Sequence, residues 1–485
     1  MSSRDPRMLP EDEETSGNSP NPPPIPPTPA PQIELTYADM HRMVWRIAMP
    51  AVVTMMLQTV NGIMDMFFVG HLSAGKDALA ATGLGGGIIF LMISIAMGVA
   101  AGTMALVARF TGAKQPESCL YATGQSLTLS LFVGLVAGIV VYNLRVPFIN
   151  LLLNSKDAPL AAHLCNEFLS MALLATIPLF LINVLQSAFR GTGDTQTPLK
   201  ITTIMIGVHI FLNWLLINGS LGFPRLEVKG AGIAFAISQV VGAALSFWML
   251  TRNATLSASL QPLYLKPKKE WMQRIFRIGF PASVQNIVRV FSMMTFTGML
   301  ARTAEGASAV AALQIGIRTE SLAFMPGFGY SVAAAALVGQ NLGAKQPERA
   351  ERYAWAANLQ AMGVMSLMAL LLFLGANPIA RIFSHDPMVI QLGVEYMRIN
   401  ACCEPFLGLG MVLTGALQGA GDTVAPTYIT LFNMLLLRLS VGYVLMFGLH
   451  YGSFGAWITM AISTIVGGIM TAILFRTGRW KRIKV

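Results

Sequence analysis

The sequence predicts an all-α, polytopic membrane protein: twelve transmembrane helices arranged as two parallel six-helix repeats around a central cleft. Three observations predict it. Of the 485 residues only 12% are charged and 54% are hydrophobic, whereas soluble chains are about one-quarter charged. The apolar residues gather in twelve long blocks. The two halves of the chain also repeat one another.

A helix crossing about 30 Å of hydrocarbon needs about 20 mainly apolar residues. Blocks of that order occupy 44–69, 78–108, 121–142, 159–188, 195–217, 230–251, 276–300, 308–338, 353–374, 390–418, 424–447 and 453–475. Water does not reach the bilayer core, so each must be helical for its backbone groups to pair internally. Residues 1–36 precede the first block with an acidic run (Glu11–Glu14) and a proline-dense stretch ending at Pro31. They cannot bury a core and are expected to be a disordered tail.

Several blocks carry features that apolarity does not require. The first holds Pro50 and a polar set, Gln58, Asn61 and Asp65, spaced i, i+3, i+7 and hence on one helix face. A carboxylate facing lipid is costly, so this face should turn inward. The second contains GLGGG at 83–87, read as small residues permitting close helix packing. Pro178 interrupts the fourth, and the seventh carries Pro281, a counterpart of Pro50. Further charges lie within the later blocks: Arg289, Arg318, Glu320, Glu404 and Arg438. Unpaired, each would cost several kcal/mol, so buried ion pairs are expected: Arg289 or Arg318 with Glu320, and Glu404 with Arg438.

The repeat is explicit. RIAMPAVV at 46–53 returns as RIGFPASV at 277–284, and TGAKQPES at 111–118 as LGAKQPER at 342–349. RGTGDTQTP at 190–198 returns as QGAGDTVAP at 418–426, and GAGIAFAIS at 230–238 as GAWITMAIS at 455–463. Six spans per half is an even number, so the halves are parallel repeats about an axis along the membrane normal. They divide the chain into a first lobe (37–251), a basic linker (252–275) and a second lobe with a basic tail (276–485). Two such bundles facing one another suit alternating access, which points to a secondary transporter.

The net charge of +10 does not indicate nucleic acid. Roughly twenty Lys and Arg fall on the side of the termini, among them Arg109, Lys266, Lys268 and Lys345, against about seven opposite, among them Lys76, Arg145, Lys156 and Arg225. That asymmetry places both termini in the cytoplasm. Cys119, Cys165, Cys402 and Cys403 show no metal-ligand spacing, and Cys402 and Cys403 are read as apolar residues inside a helix. In GTGDT and GAGDT, glycine closes one helix while Asp194 or Asp422 caps the next. Neither has the Lys-Ser/Thr of a phosphate loop.

LQSAFRGTGDTQTP at 185–198, LTGALQGAGDTVAP at 413–426, the paired GAKQPE loops, DMFFVGHL at 65–72 and the duplication together resemble the multidrug and toxic compound extrusion (MATE) family. The likeness runs from about residue 40 to 475. It implies export of diverse, often cationic amphiphiles driven by inward H⁺ or Na⁺, from the plasma (inner) membrane, with no cofactor beyond the coupling ion. It also implies a coupling role for Asp65, whose position in the second half is Phe296. Proton-coupled relatives place an Asn and an Asp one turn apart on helix five; here those positions are His209 and Asn213. Sodium-coupled relatives carry acids on helices seven and ten, where this chain has Arg289 and, slightly out of register, Glu404.

The expected coupling set is therefore Asp65, Asn61, Asn213 and His209, with proton coupling favoured and Na⁺ at Asp65 the alternative. The expected substrate cavity is lined by Gln58, Met64, Asp65 and Asn183. The protein is expected to act as a monomer. A lipid-linked oligosaccharide flippase of the same superfamily is the second reading, although it would call for a cationic first-lobe cavity. A membrane-embedded enzyme finds no His/Asp or Ser–His constellation to support it.

Overall fold

The structure, a computed structural model, describes residues 36–72, 74–152 and 158–483. The expected disordered tail up to residue 35, Lys156 and Lys484 lie outside these. Among the described residues, twelve long helical spans make up the fold. In the first lobe they are α1 (Tyr37–Gly70), α2 (Gly75–Gly112), α3 (Pro116–Leu152), α4 (Pro159–Gly191), α5 (Gln196–Asn218) and α6 (Glu227–Thr251). In the second they are α7 (Lys269–Leu300), α8 (Gly306–Gly343), α9 (Pro347–Phe383), α10 (Pro387–Ala401 and Glu404–Gly419), α11 (Val424–Gly448) and α12 (Gly452–Arg476). No strand occurs among the described residues.

Local sequence accounts for the irregularities. Pro178 has no N–H to donate to Leu174, and a 3₁₀ turn at Leu173–Ala175 bends α4 just ahead of it. In α10 the two segments meet at 54°, before Pro405. Cys402 and Cys403 therefore form the break itself, not the helix interior expected of them; Cys402 is exposed and Cys403 buried. Helix α7 is as long as its neighbours but less apolar, because its first turns hold linker charges and its middle holds Gln285, Asn286 and Arg289. The linker is not a free tether. Gln125 of α3 donates to the carbonyls of Tyr264 and Lys266 at 2.7 and 2.6 Å and accepts from the Lys268 N–H at 2.7 Å.

The duplication is visible in backbone detail. Lys114 and Lys345, equivalent in the GAKQPE loops, both adopt positive φ (55° and 59°). Gly193 and Gly421 do so in the GDT turns (90° and 88°), where a side chain would be strained. Asp194 accepts from the Thr197 N–H at 2.9 Å and Asp422 from the Ala425 N–H at 3.3 Å, so each caps the following helix as expected.

The lobes meet along two seams, α1 with α8 and α2 with α7 and α8. At the end bearing the termini they are pressed together. A Cβ added at Gly102 would sit 2.6 Å from the Ile275 carbonyl oxygen, and one at Gly98 would sit 2.6 Å from that of Gly279. Gln340 donates to the Gly191 carbonyl at 2.9 Å, and Arg109 to that of Ile483 at 2.9 Å. Toward the opposite end α2 is open: a Cβ at Gly83, Gly86 or Gly87 would meet nothing within 4 Å. The reading of GLGGG as a packing motif is thus corrected. Only Gly85 meets a neighbour, Phe168 of α4, while the other three lie on faces left bare on that side. Gly62 of α1 and Gly298 of α7 are equally open, although Arg318 of α8 still reaches Met66 of α1 across the seam on that side.

Helix α1 belongs to both lobes. Its first half (Met40, Val44, Ile47, Ala48, Val52) is buried in a core with Tyr330, Tyr353, Leu417, Phe475 and Trp480 of the second lobe. Its far end (Val69) and Leu72 just beyond it are buried with α2 and α4 of the first. Pro50 lies within the first half, between Ala48 and Val52.

Candidate functional site

Two pairs of polar residues, each spaced one helical turn apart, face one another where the distal half of α1 packs on α5. Asn61 and Asp65 lie on α1, His209 and Asn213 on α5. The Asn213 amide donates to Asp65 Oδ1 at 2.6 Å, and the Asn61 amide approaches Asp65 Oδ2 at 3.4 Å. His209 Nε2 stands 3.5 Å from Asp65 Oδ1, and its Nδ1 stands 3.2 Å from the Asn61 amide nitrogen. An amide N–H₂ only donates, so Nδ1 accepts and the ring proton sits on Nε2, directed at the carboxylate. The His209 side chain is 7% exposed and that of Asp65 39%, which leaves the carboxylate reachable while the imidazole is sealed. The amide oxygens of Asn61 and Asn213 are buried without partners. An ionised carboxylate in this setting needs a neutralising partner, whether a hydrogen-bond donor, a proton or a cation.

The other expected cavity residues do not join this network. Gln58 is exposed one turn earlier on α1, and Met64 is half-buried. The Asn183 amide is used within its own helix, donating to Leu179 at 2.8 Å. Phe296, in the position equivalent to Asp65, is fully buried in the apolar core of the second lobe.

None of the expected buried ion pairs forms: no carboxylate lies within 4.0 Å of Arg289, Arg318 or Arg438 among the described residues. Arg318 and Glu320 are two residues apart on one helix and so face opposite ways. The Arg318 guanidinium crosses the α1–α8 seam to the Met66 sulfur, while Glu320 turns into the second lobe and accepts from the Tyr396 hydroxyl. Glu404 heads the second segment of α10 behind the bend, 1% exposed, with both carboxylate oxygens unpartnered. Arg438 donates from Nε to Ser463 at 2.8 Å. Tyr396, Asn400 and Asn433, not singled out in the sequence, line a chamber of about 300 Å³ with Arg289, Glu320 and Arg438. An isolated amide such as Asn433 in an apolar block was the signal available for it.

Two repeated six-helix lobes, pressed together at the end bearing the termini, with an ionisable network between helices of one lobe, define a polytopic membrane transporter. The chain belongs to the MatE family, whose sequence model matches residues 50–215 and 281–444, one block per lobe. Similar proteins include the probable multidrug resistance protein NorM of Thermotoga maritima, 29% identical over 443 residues that cover 90% of this chain and 92% of the relative. The FAD transporter of Shewanella oneidensis is 27% identical, covering 84% and 88%. Among solved structures, the outward-facing conformation of a multidrug resistance MATE family transporter matches with a TM-score of 0.80 at 25% identity, over 90% of this chain and 95% of that one. A MATE transporter in a straight conformation matches with 0.82 at 25%, over 90% and 96%.

Proposed function

We propose that the protein exports diverse amphiphilic, often cationic compounds in exchange for inward H⁺, with Asp65 as the coupling group. The observation carrying this is the Asp65–Asn213–His209–Asn61 network, set on a helix shared by both lobes and exposed enough to exchange ions with the cleft. The relatives named multidrug resistance proteins support the substrate class over a lipid-linked oligosaccharide. With the termini cytoplasmic in the plasma membrane, the cleft faces outward and the sealed end faces the cell.

Proton binding at Asp65 removes the negative charge that Asn213 and Asn61 hold, and so loosens α1 from α5. The proton-bound and substrate-bound states thereby favour different lobe arrangements, and exchange follows from that difference in affinity. Na⁺ is the second reading, favoured by the two unpartnered amide oxygens beside the carboxylate, which are hard ligands of the type that alkali cations take. The protein acts as a monomer in this proposal, each chain holding a complete network.

The test is efflux of an ethidium-like dye from cells lacking other pumps. Asp65→Asn is expected to abolish gradient-dependent efflux, and unimpaired efflux would sink the assignment. Substrate-induced release of H⁺ or Na⁺ from protein in liposomes identifies the ion.

A further inference from the structure

We propose that the chamber inside the second lobe is a binding site for a small organic carboxylate. The proposal is independent of the export reading, which concerns the first lobe and cationic cargo.

The chamber lies among α7, α8, α10, α11 and α12 and has a volume of about 300 Å³. Its charged wall consists of Arg289, Arg438 and Glu320. A guanidinium does not give up its proton in a protein. Two permanent positive charges therefore face at most one negative charge, and the wall carries at least one net positive charge inside the membrane. Glu320 is already engaged by the Tyr396 hydroxyl. Glu404 is not on the wall.

The guanidiniums have donors to spare. Arg438 spends its Nε on Ser463 at 2.8 Å, which leaves both terminal nitrogens. Arg289 has no hydrogen bond or ion pair among the described residues. Arg438 is attracted by Glu320 and repelled by Arg289. Like charges held together in a low-dielectric interior are costly, and an anion between them relieves the cost. Helix α11 is built irregularly around this point: π-helical turns at Phe432–Leu437 and Val444–Gly448 flank the segment beginning at Arg438. Such turns often mark functional positions.

The rest of the wall selects the kind of anion. Met293, Phe324, Phe328 and Met411 make it largely apolar and aromatic, suited to a ring rather than to a hydrated inorganic ion. The volume sits at the small end of ligand pockets, about one substituted ring. A planar carboxylate meets guanidinium in the two-pronged fashion that gives the strongest charged hydrogen bonds.

Binding is measured on the full chain in lipid nanodiscs without an ion gradient, using radiolabelled benzoate with benzylamine, phosphate and chloride as competitors. Saturable benzoate binding is expected, untouched by benzylamine and competed weakly, if at all, by phosphate or chloride. Arg289→Gln should weaken it at least tenfold, Arg289→Lys less, and Glu320→Gln should strengthen it by removing the opposing charge. Asp65→Asn should leave it unchanged, even though that variant is expected to stop export. Circular dichroism and gel-filtration profiles of Arg289→Gln confirm that it folds. Absent binding, binding indifferent to Arg289→Gln in a folded protein, or equal competition by chloride (an inorganic counter-ion only) would each overturn the proposal.

Discussion

At Asp65, the closest contact is the 2.6 Å bond from Asn213, a hydrogen bond to a charged group and so worth about 1.5–3 kcal/mol. Removing that donor strands the carboxylate. Asn213→Ala is therefore expected to lower dye efflux about tenfold or more, since 1.4 kcal/mol corresponds to one decade. Asn183→Ala, whose amide serves only the Leu179 carbonyl of its own helix, should change efflux little. Equal losses in the two variants would show that polar residues matter here through general packing and not through Asp65. The comparison also separates the four residues that the fold brings together from those that share only a lobe with them. Sequence spacing placed Asn61 and Asp65 on one face, and the resemblance supplied His209 and Asn213. Nothing in the sequence told that the Asn183 amide would be spent locally.

At the scale of the element, the duplicated turns offer a controlled comparison. Asp422 caps α11, but burial pushes its carboxyl above the ordinary range, against the pull of the Ala425 N–H and Arg479. A carboxyl raised by folding contributes stability that is full below its unfolded pKa and fades as pH climbs through the folded value. Asp422→Ala should lower stability by about 1 kcal/mol through loss of the cap. Asp422→Asn keeps an oxygen for Ala425 and removes the buried charge, so it should cost little at pH 7 and flatten the gain in stability seen on acidification just above the ordinary carboxylate range. Melting curves in detergent at several pH values check both. Helix number, the repeat and the capping aspartates were legible because apolar length, self-similarity and turn chemistry are local. The role of GLGGG was not, because whether a glycine packs depends on the element opposite, and three of the four proved to face open space. Nor were the charge partners: Arg318 and Glu320 are close in sequence but point to different lobes, and Glu404 sits behind the bend of α10 with both oxygens unpartnered.

Over the whole molecule, α1 is the element that would carry the proposed event at Asp65 to both lobes, because its first half is packed in the second lobe's core and its far end in the first's. Movement of α1 must then be resisted by whatever clamps the sealed end, and the chain following α12 is part of that clamp. Trp480 is 1% exposed and stacks on Phe475, with ring centroids 4.7 Å apart, which fixes the segment to the second lobe. Lys481 pairs with Glu351 at 2.6 Å on the same lobe. Three residues after Trp480, the Ile483 carbonyl accepts from Arg109 at the end of α2, in the first lobe, at 2.9 Å. The segment thus ties the lobes together where they are closed, alongside the Gln340–Gly191 bond. Deleting residues 478–485 removes an anchored aromatic and one charged hydrogen bond across the seam, while leaving the network at Asp65 in place. The closed end should open more often. A cysteine introduced by Gln340→Cys in both the truncated and the full-length chain, which removes the Gln340–Gly191 bond from each alike, should then react several-fold faster with a bulky maleimide in inside-out vesicles of the truncated chain. One or two kcal/mol of clamping is enough for that, since each 1.4 kcal/mol is a factor of ten in the population of the opened state. An unchanged labelling rate would mean that the helix seams alone hold the gate, and that the segment beyond α12 is a passenger.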